Sequence, residues 1–111
     1  YKLAYLFIEG GTDRTPTAKL KLKAGKKTVE AEAKGDGPVD ACYKAIDKIT
    51  RIPGKLVDYS IRSVTSGKDA LGEVSVKVEF KGRVVSGRGT DTDIIQASIK
   101  AYLNAVNKVT K

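Results

Sequence analysis

Residues 18–24 read Ala-Lys-Leu-Lys-Leu-Lys-Ala, and residues 74–80 read Val-Ser-Val-Lys-Val-Glu-Phe. Both stretches alternate apolar and polar residues, which is typical of a strand that buries one face and exposes the other. The two stretches lie 56 positions apart, and a shift of 56 aligns the two halves of the sequence without a gap. Gly11 then falls on Gly67, and Ala41 falls on Ala97. This periodicity indicates a duplication.

Each copy is predicted to form three strands followed by one helix. The predicted strands are residues 2–8, 18–24 and 27–33 in the first copy and residues 55–64, 72–80 and 83–89 in the second. Helical spacing of apolar residues follows Pro38 in the first copy and Asp93 in the second. We therefore predict an α+β fold, a pseudo-duplicated βββα–βββα chain of antiparallel sheets with the helices packed on one face. The expected repeats are residues 1–54 and 55–111 of a single domain.

Composition excludes several classes of protein. The 111 residues include no histidine and one cysteine, Cys42, which argues against zinc, haem and iron–sulfur sites and against hydrolase triads. Cys42 lies on the apolar stripe of the first helix, where we expect a small buried hydrophobe, and a lone cysteine favours the reducing cytoplasm. No apolar run reaches the roughly 20 residues that span a bilayer. The lack of these catalytic groups favours a binding or regulatory module over an enzyme. Since the chain has no Met, we also expect it to be a piece of a longer protein.

Net charge raises the alternative of a basic nucleic-acid-binding module. The chain has 21 Lys and Arg against 13 Asp and Glu, a net charge of +8. However, the lysines of residues 18–24 occupy the solvent side of an alternating strand, where a soluble sheet needs them. The aromatic residues Tyr5, Phe7, Tyr43, Phe80 and Tyr102 fall on predicted core positions, which leaves no stacking platform for bases. Composition therefore argues against nucleic acid.

The best local candidate for a binding site is Gly35-Asp36-Gly37-Pro38, which runs into the first helix. Glycines allow a ligand to approach the backbone, and the free N–H groups of a helix start attract an anion such as a carboxylate. The alternative is a plain strand-to-helix turn with Asp36 as a local cap. The opening of the second helix carries Asp and Thr oxygens of its own that compete for those N–H groups, so the first opening is the more available to a ligand.

Two long connections are further candidates. Residues 10–17 and residues 64–72 are longer than a two-residue hairpin turn requires. Connections of this length are either binding elements or plain exposed loops, and the sequence leaves both interpretations open.

Four motifs in the same order resemble a known family over essentially the whole chain. These are Gly35-Asp36-Gly37-Pro38-Val39-Asp40-Ala41, Leu56-Val57-Asp58-Tyr59, Gly67-Lys68-Asp69-Ala70-Leu71-Gly72-Glu73-Val74 and Gly87-Arg88-Gly89-Thr90-Asp91-Thr92-Asp93-Ile94-Ile95-Gln96-Ala97-Ser98. The chain resembles the C-terminal allosteric domain of 2-isopropylmalate synthase. The resemblance implies a βββα–βββα domain that dimerises and mediates feedback inhibition by L-leucine. It also implies that the catalytic (β/α)8 barrel, an acyltransferase that uses acetyl-CoA and a divalent metal, is absent from this fragment, and that this domain holds no cofactor.

The same resemblance implies a leucine pocket between the two repeats. Position by position, its residues are Gly35, Gly37, Pro38, Val39, Asp40, Leu56, Tyr59, Ser63, Ala70, Gly72 and Ile94. The backbone N–H groups of residues 37–40 are expected to hold the carboxylate of leucine. Val39, Leu56, Tyr59 and Ile94 would surround the isobutyl chain, and Ala70 and Gly72 would leave room for it. Asp36 and Asp69 are both candidates for binding the ammonium group.

One alternative effector comes from a related family. The homologous domain of citramalate synthase senses isoleucine, and one methyl branch changes affinity by only about 1–3 kcal/mol in an apolar pocket. Residues 92–98 resemble the leucine-sensing type more closely, which places leucine first. The expected partners are thus L-leucine, a second copy of the domain and the catalytic barrel of the same polypeptide, with no membrane.

Overall fold

The computed structural model describes residues 1–66 and 69–110, and it describes no side chain from residue 65 to residue 69. In this part of the chain the elements are β1 (Lys2–Gly11), β2 (Arg14–Ala24), β3 (Lys27–Lys34), α1 (Pro38–Thr50), β4 (Gly54–Ser66), β5 (Asp69–Phe80), β6 (Arg83–Asp91) and α2 (Ile94–Val109). The strands form two antiparallel three-stranded sheets, ordered β1-β2-β3 and β4-β5-β6. The predicted βββα–βββα fold is confirmed.

The third strand and the helix of each unit begin at the offset found in the sequence. α1 begins at Pro38 and α2 begins at Ile94, and β3 and β6 begin at Lys27 and Arg83; both pairs differ by 56. The chain folds as two compact units, Tyr1–Pro53 and a second unit that begins at Gly54. Each unit therefore has its own sheet, its own helix and its own core.

The alternating strands form the centre of each core. In the first unit Ala18, Leu20 and Leu22 of β2 are fully buried, and α1 packs on β2 and β3. In the second unit the buried side of β5 is formed by its valines and Phe80, and α2 packs on β5 and β6. Because each helix covers the second and third strands, the helix-facing side of the first strand of each unit, β1 or β4, is less covered.

The prediction that Tyr5 and Phe7 belong to the core is wrong. Their side chains are 44% and 50% exposed, whereas Tyr43, Phe80 and Tyr102 are buried as predicted. β1 has a register shift between Leu3 and Tyr5, and a bulge of this kind changes which residues face the core. Tyr5 and Phe7 consequently lie opposite the outward lysines of β2, and the Nζ of Lys21 lies 5.3 Å from the centre of the Tyr5 ring.

The two long connections are largely strand, which corrects the loop prediction. β1 continues to Gly11 and β2 begins at Arg14, so only two residues separate them. In the second unit Val64 pairs with Leu71, and Thr65 pairs with Ala70. The ladder extends through these polar stretches because its hydrogen bonds join backbone groups, which every non-proline residue carries. Gly67 and Lys68 lie outside the described residues.

Candidate functional site

One candidate feature, in the first unit, is the α1 opening, residues 35–40. Helix α1 has Gly37 as its N-cap, and no side chain caps it. Pro38 occupies the first helical turn, where its missing N–H leaves no hydrogen bond unmade. Ala41 makes the first helical bond, from its N–H to the carbonyl of Gly37 at 2.9 Å. The alternative of Asp36 as a side-chain cap is wrong.

Three backbone donors of the α1 opening remain available. Among the described residues, the N–H groups of Gly37, Val39 and Asp40 have no hydrogen-bond acceptor. The first N–H groups of a helix have no partner within the helix and carry the positive end of its dipole. The α1 opening is therefore a cluster of backbone donors suited to a carboxylate.

The Asp40 side chain stabilises the α1 opening through a hydrogen bond and an ion pair. Its Oδ2 accepts a hydrogen bond from the Asp36 N–H at 2.9 Å and lies 3.1 Å from Lys44 Nζ. The Asp36 N–H, followed by Lys44, lowers the pKa of Asp40 below its ordinary value of 3.8 against a smaller opposing effect of burial. Asp40 is thus a carboxylate whose oxygen is occupied within the turn, and its backbone N–H is the group left for a ligand.

Gly35 is small because the turn packs tightly. Its N–H donates to the carbonyl of Pro16 at 3.1 Å. A Cβ at this position would collide with the backbone nitrogen of Ala41 and would lie 2.6 Å from Asp40 Oδ2. Gly37 differs, because a Cβ there would meet nothing within 4 Å. A Cβ added at Gly37 would consequently lie in open space among the described residues.

A separate candidate feature, in the second unit, is the β4 strip, which we define as Leu56, Tyr59, Ile61 and Ser63. These residues pair with Val78, Val76, Val74 and Gly72 of β5, so they share the face on which α2 packs. A register shift between Leu56 and Asp58 leaves Val57 as an extra residue. Without this bulge, Leu56 and Tyr59 would lie on opposite faces of the sheet.

The β4 strip is an apolar surface that α2 leaves open. Leu56 is 41% exposed and Ile61 is 53% exposed, although both lie on the core-facing side of the sheet. Sequence reasoning missed Ile61, and simple alternation between Tyr59 and Ser63 could have identified it.

Ala70, Gly72 and Ile94 border the β4 strip at one end. Gly72 pairs with Ser63, and a Cβ at Gly72 would collide with Cδ1 of Ile94. Ala70 is the next residue on the same face of β5 and is exposed. The predicted residues of the second unit thus share one face, whereas those of the first unit form the α1 opening. The Asp69 side chain, a candidate for the ammonium group, lies outside the described residues.

The start of α2 differs from that of α1. Asp93 is the N-cap, and its Oδ1 accepts a hydrogen bond from the Ile95 N–H at 2.8 Å. Asp91 Oδ1 accepts from the Asp93 N–H at 2.9 Å, and Asp91 Oδ2 pairs with Lys100 at 2.9 Å. The prediction that the second opening carries oxygens of its own that take up N–H groups is confirmed for Asp91 and Asp93.

Other described features do not support a different site. A cavity of about 310 Å³ in the first unit has a wall of mixed charge, formed by Glu9, Arg14, Thr15, Thr17, Glu32 and Lys34, and it contains none of the candidate residues. Cys42 is fully buried, and burial raises its pKa to about 12, so it is the inert small hydrophobe that was predicted. Among the described residues, no group of three His, Cys, Asp or Glu could hold a metal ion. Within the same residues no helix is long and apolar enough to cross a membrane.

Comparison with known proteins identifies the family. The model of the LeuA allosteric (dimerisation) domain matches residues 1–110. The chain belongs to this family. A 2-isopropylmalate synthase of Heliobacterium modesticaldum is 55% identical over 109 residues, which cover 98% of this chain and 21% of the relative. The corresponding protein of Carboxydothermus hydrogenoformans is 55% identical over 111 residues, and that of a Picosynechococcus species is 40% identical over 110 residues. These matches cover 98% of this chain in both cases and 22% and 21% of the relatives. This LeuA-type domain therefore spans about a fifth of the length of the curated relatives it matches.

Proposed function

We propose that the chain is the regulatory domain of a 2-isopropylmalate synthase and binds L-leucine as a feedback inhibitor. The family match and the names of the relatives support this role. The single observation that carries the binding proposal is the contrast between the helix starts. Three backbone N–H groups at the α1 opening lack an acceptor among the described residues, whereas α2 is capped by its own Asp93.

The α1 opening would hold the carboxylate of the amino acid. The N–H groups of Gly37, Val39 and Asp40 are the donors, and the positive end of the helix dipole adds to the attraction. Hydrogen bonds to a charged group contribute about 1.5–3 kcal/mol each at most. Pro38 keeps this turn rigid without competing as a donor, which reduces the entropy lost on binding.

The β4 strip would bind the branched side chain. Its Leu56 and Ile61 expose apolar surface, and burying a leucine side chain is worth about 1.5–3 kcal/mol. Ala70 and Gly72 leave space beside the strip, and Ile94 contributes an apolar edge. Asp36 is an exposed carboxylate within the α1 opening and remains the candidate for the ammonium group.

The wider biology forms part of the proposal. The domain would form a homodimer, as the description of its family indicates, and would act on an acyltransferase barrel of the same polypeptide in the cytoplasm. It would hold no cofactor and perform no catalysis itself. Couplings between an effector site and a distant active site are typically about 1–3 kcal/mol, which is the range expected for feedback inhibition.

Calorimetric titration of the 111-residue chain with L-leucine, L-isoleucine and L-valine tests the proposal. We expect binding that is tightest for leucine, and tighter binding of isoleucine would instead favour the sensor of a citramalate synthase. The decisive variant is Gly37→Asp, which places at the α1 opening the residue that α2 already has. Because a Cβ there meets nothing within 4 Å, we expect a folded protein with leucine affinity reduced at least about tenfold.

The matched control is Thr12→Asp, which adds the same charge in the exposed turn between β1 and β2. This variant should bind leucine like the wild type. Wild-type affinity in the Gly37→Asp variant would show that the carboxylate is not held at the α1 opening.

A further inference from the structure

Ser98 of α2 joins two residues of the candidate site. Its side chain is fully buried. Its Oγ lies 2.6 Å from the hydroxyl oxygen of Tyr59 and 2.8 Å from the carbonyl oxygen of Ile94. Tyr59 belongs to the β4 strip, and Ile94 begins α2 and packs on Gly72. Sequence reasoning did not select Ser98, because a serine on a helix carries no distinctive signal.

The direction of the two hydrogen bonds follows from the chemistry of the groups. A carbonyl oxygen only accepts, so Ser98 donates its single hydroxyl hydrogen to Ile94. Both bonds form together only when the Tyr59 O–H donates to Ser98 Oγ. The result is a relay from Tyr59 through Ser98 to Ile94, in which the Tyr59 hydrogen points toward α2.

This relay restrains the aromatic ring of the β4 strip. Tyr59 lies on β4, whereas α2 packs on β5 and β6, so packing of the helix alone leaves the ring less covered than the core. A bond from the far end of the side chain to a buried serine fixes both of its rotatable angles. In a hydrophobic pocket, an aromatic ring held in one rotamer discriminates between branched isomers better than a ring that can change its rotamer.

We propose that Ser98 is a positioning residue of the effector site, holding Tyr59 so that its ring selects leucine over isoleucine. This inference rests on the proposed function, because it concerns the same site. Ser98 acts through Tyr59 and does not itself contact the effector. Loss of the relay should reduce selectivity as well as affinity.

The test compares Ser98→Ala with Tyr59→Phe, which removes the same hydrogen bond from its other end and keeps the aromatic ring. Calorimetric titration of the full chain with L-leucine and with L-isoleucine gives the ratio of the two affinities. We expect each variant to bind leucine about two- to tenfold more weakly and to show a smaller leucine preference. The double variant should lose no more than either single one, since both remove one interaction.

The control is Tyr102→Phe, which removes a buried hydroxyl from the same helix outside the candidate site. It should lower stability without changing the ratio of affinities. Unchanged ratios in both test variants, or an effect of Ser98→Ala without one of Tyr59→Phe, would overturn the inference while wild-type leucine binding upheld the proposed function. A wild-type chain that binds no leucine would overturn both.

Discussion

The two repeats share one fold, yet their helices begin in different ways. α2 is capped by the Asp93 carboxylate, which accepts the Ile95 N–H. The N-cap of α1 is Gly37, which has no side chain to accept a hydrogen bond. A side-chain cap is worth about 1 kcal/mol relative to alanine but only a few tenths relative to glycine, so the first repeat forgoes a small amount of stability that the second retains. The two copies of a duplicated fold can thus differ in whether a side chain occupies the backbone donors at the start of the helix.

The repeats also differ in how closely each helix approaches its third strand. β6 carries Gly87 and Gly89 where β3 carries Ala31 and Ala33, at the offset of 56. A Cβ at Gly89 would collide with the carbonyl of Ala97, and one at Gly87 with the carbonyl of Ala101. Because β3 does accommodate a methyl group at both positions, α2 must lie closer to its strand than α1 does.

The largest expected effect comes from reversing this second difference. Gly89→Ala places a methyl group 2.6 Å from the backbone nitrogen of Ala101, and backbone cannot move aside as a flexible side chain can. We expect the free energy of unfolding to fall by about 1–3 kcal/mol in urea denaturation. Ala33→Gly in the first repeat should cost less, about 0.5–1 kcal/mol, since it only adds backbone freedom and removes one methyl group.

Gly10→Ala provides the control for Gly89→Ala. Its new Cβ would meet Pro16 at an ordinary 3.5 Å, and we expect a change within about 0.5 kcal/mol. If Gly89→Ala were as stable as Gly10→Ala, the close approach of α2 to β6 would be refuted.

The next effect tests the two helix starts directly. Asp93→Ala removes the cap of α2 and should lower the free energy of unfolding by about 1 kcal/mol. Gly37→Ser adds a cap to α1 and should raise stability by a few tenths of a kcal/mol. Urea denaturation of both variants without ligand measures these two changes in the free energy of unfolding. Equal and negligible effects would mean that the two starts are energetically alike, and the proposed specialisation of the first repeat would lose its basis.

Much of the fold could be predicted because it depends on regular patterns. The alternation of apolar and polar residues in β2 and β5 predicts which side chains face the helices. The offset of 56 predicts the start of α2 from the start of α1. Bulges carry no such pattern. The register shift beside Tyr5 turned two aromatic residues outward, and the bulge at Val57 brought Leu56 and Tyr59 to one face. Both depend on pairing with a neighbouring strand, which the local sequence does not reveal.

The two candidate features, the α1 opening and the β4 strip, were predictable to different extents. The uncapped start of α1 could be inferred from Gly37 and Pro38, because glycine offers no cap and proline no N–H. Asp40 was selected for its backbone, but its side-chain bond to the Asp36 N–H arises from the folded turn. Likewise, the bond between Tyr59 and Ser98 joins residues 39 positions apart, and no local motif signals it.

The smallest expected effect is a dependence of the free energy of unfolding on pH that arises from Asp40 in the α1 opening. The pKa of Asp40 is lowered in the folded chain, chiefly by the Asp36 N–H and further by Lys44. Its stabilising contribution is therefore complete above the ordinary value of 3.8 and is lost as the pH falls through the lower, folded value. Because the side chain is 42% exposed, we expect Asp40→Asn to cost less than about 1 kcal/mol at pH 7. The difference in the free energy of unfolding between Asp40→Asn and the wild type, measured by urea denaturation, should be smaller at pH 3.

Added salt distinguishes the contribution of Lys44 to the stability effect of Asp40 from that of the Asp36 N–H. It also allows a comparison with the start of α2. Added salt screens the pair with Lys44 but leaves the shorter bond to the Asp36 N–H, so only part of the difference from the wild type should disappear at 1 M salt. Asp91 at the start of α2 also has a lowered pKa, but there Lys100 is the leading cause. Asp91→Asn should consequently lose more of its effect in salt than Asp40→Asn does. The opposite order would mean that the α1 opening is held by its ion pair and that its backbone donors are not fixed for a ligand.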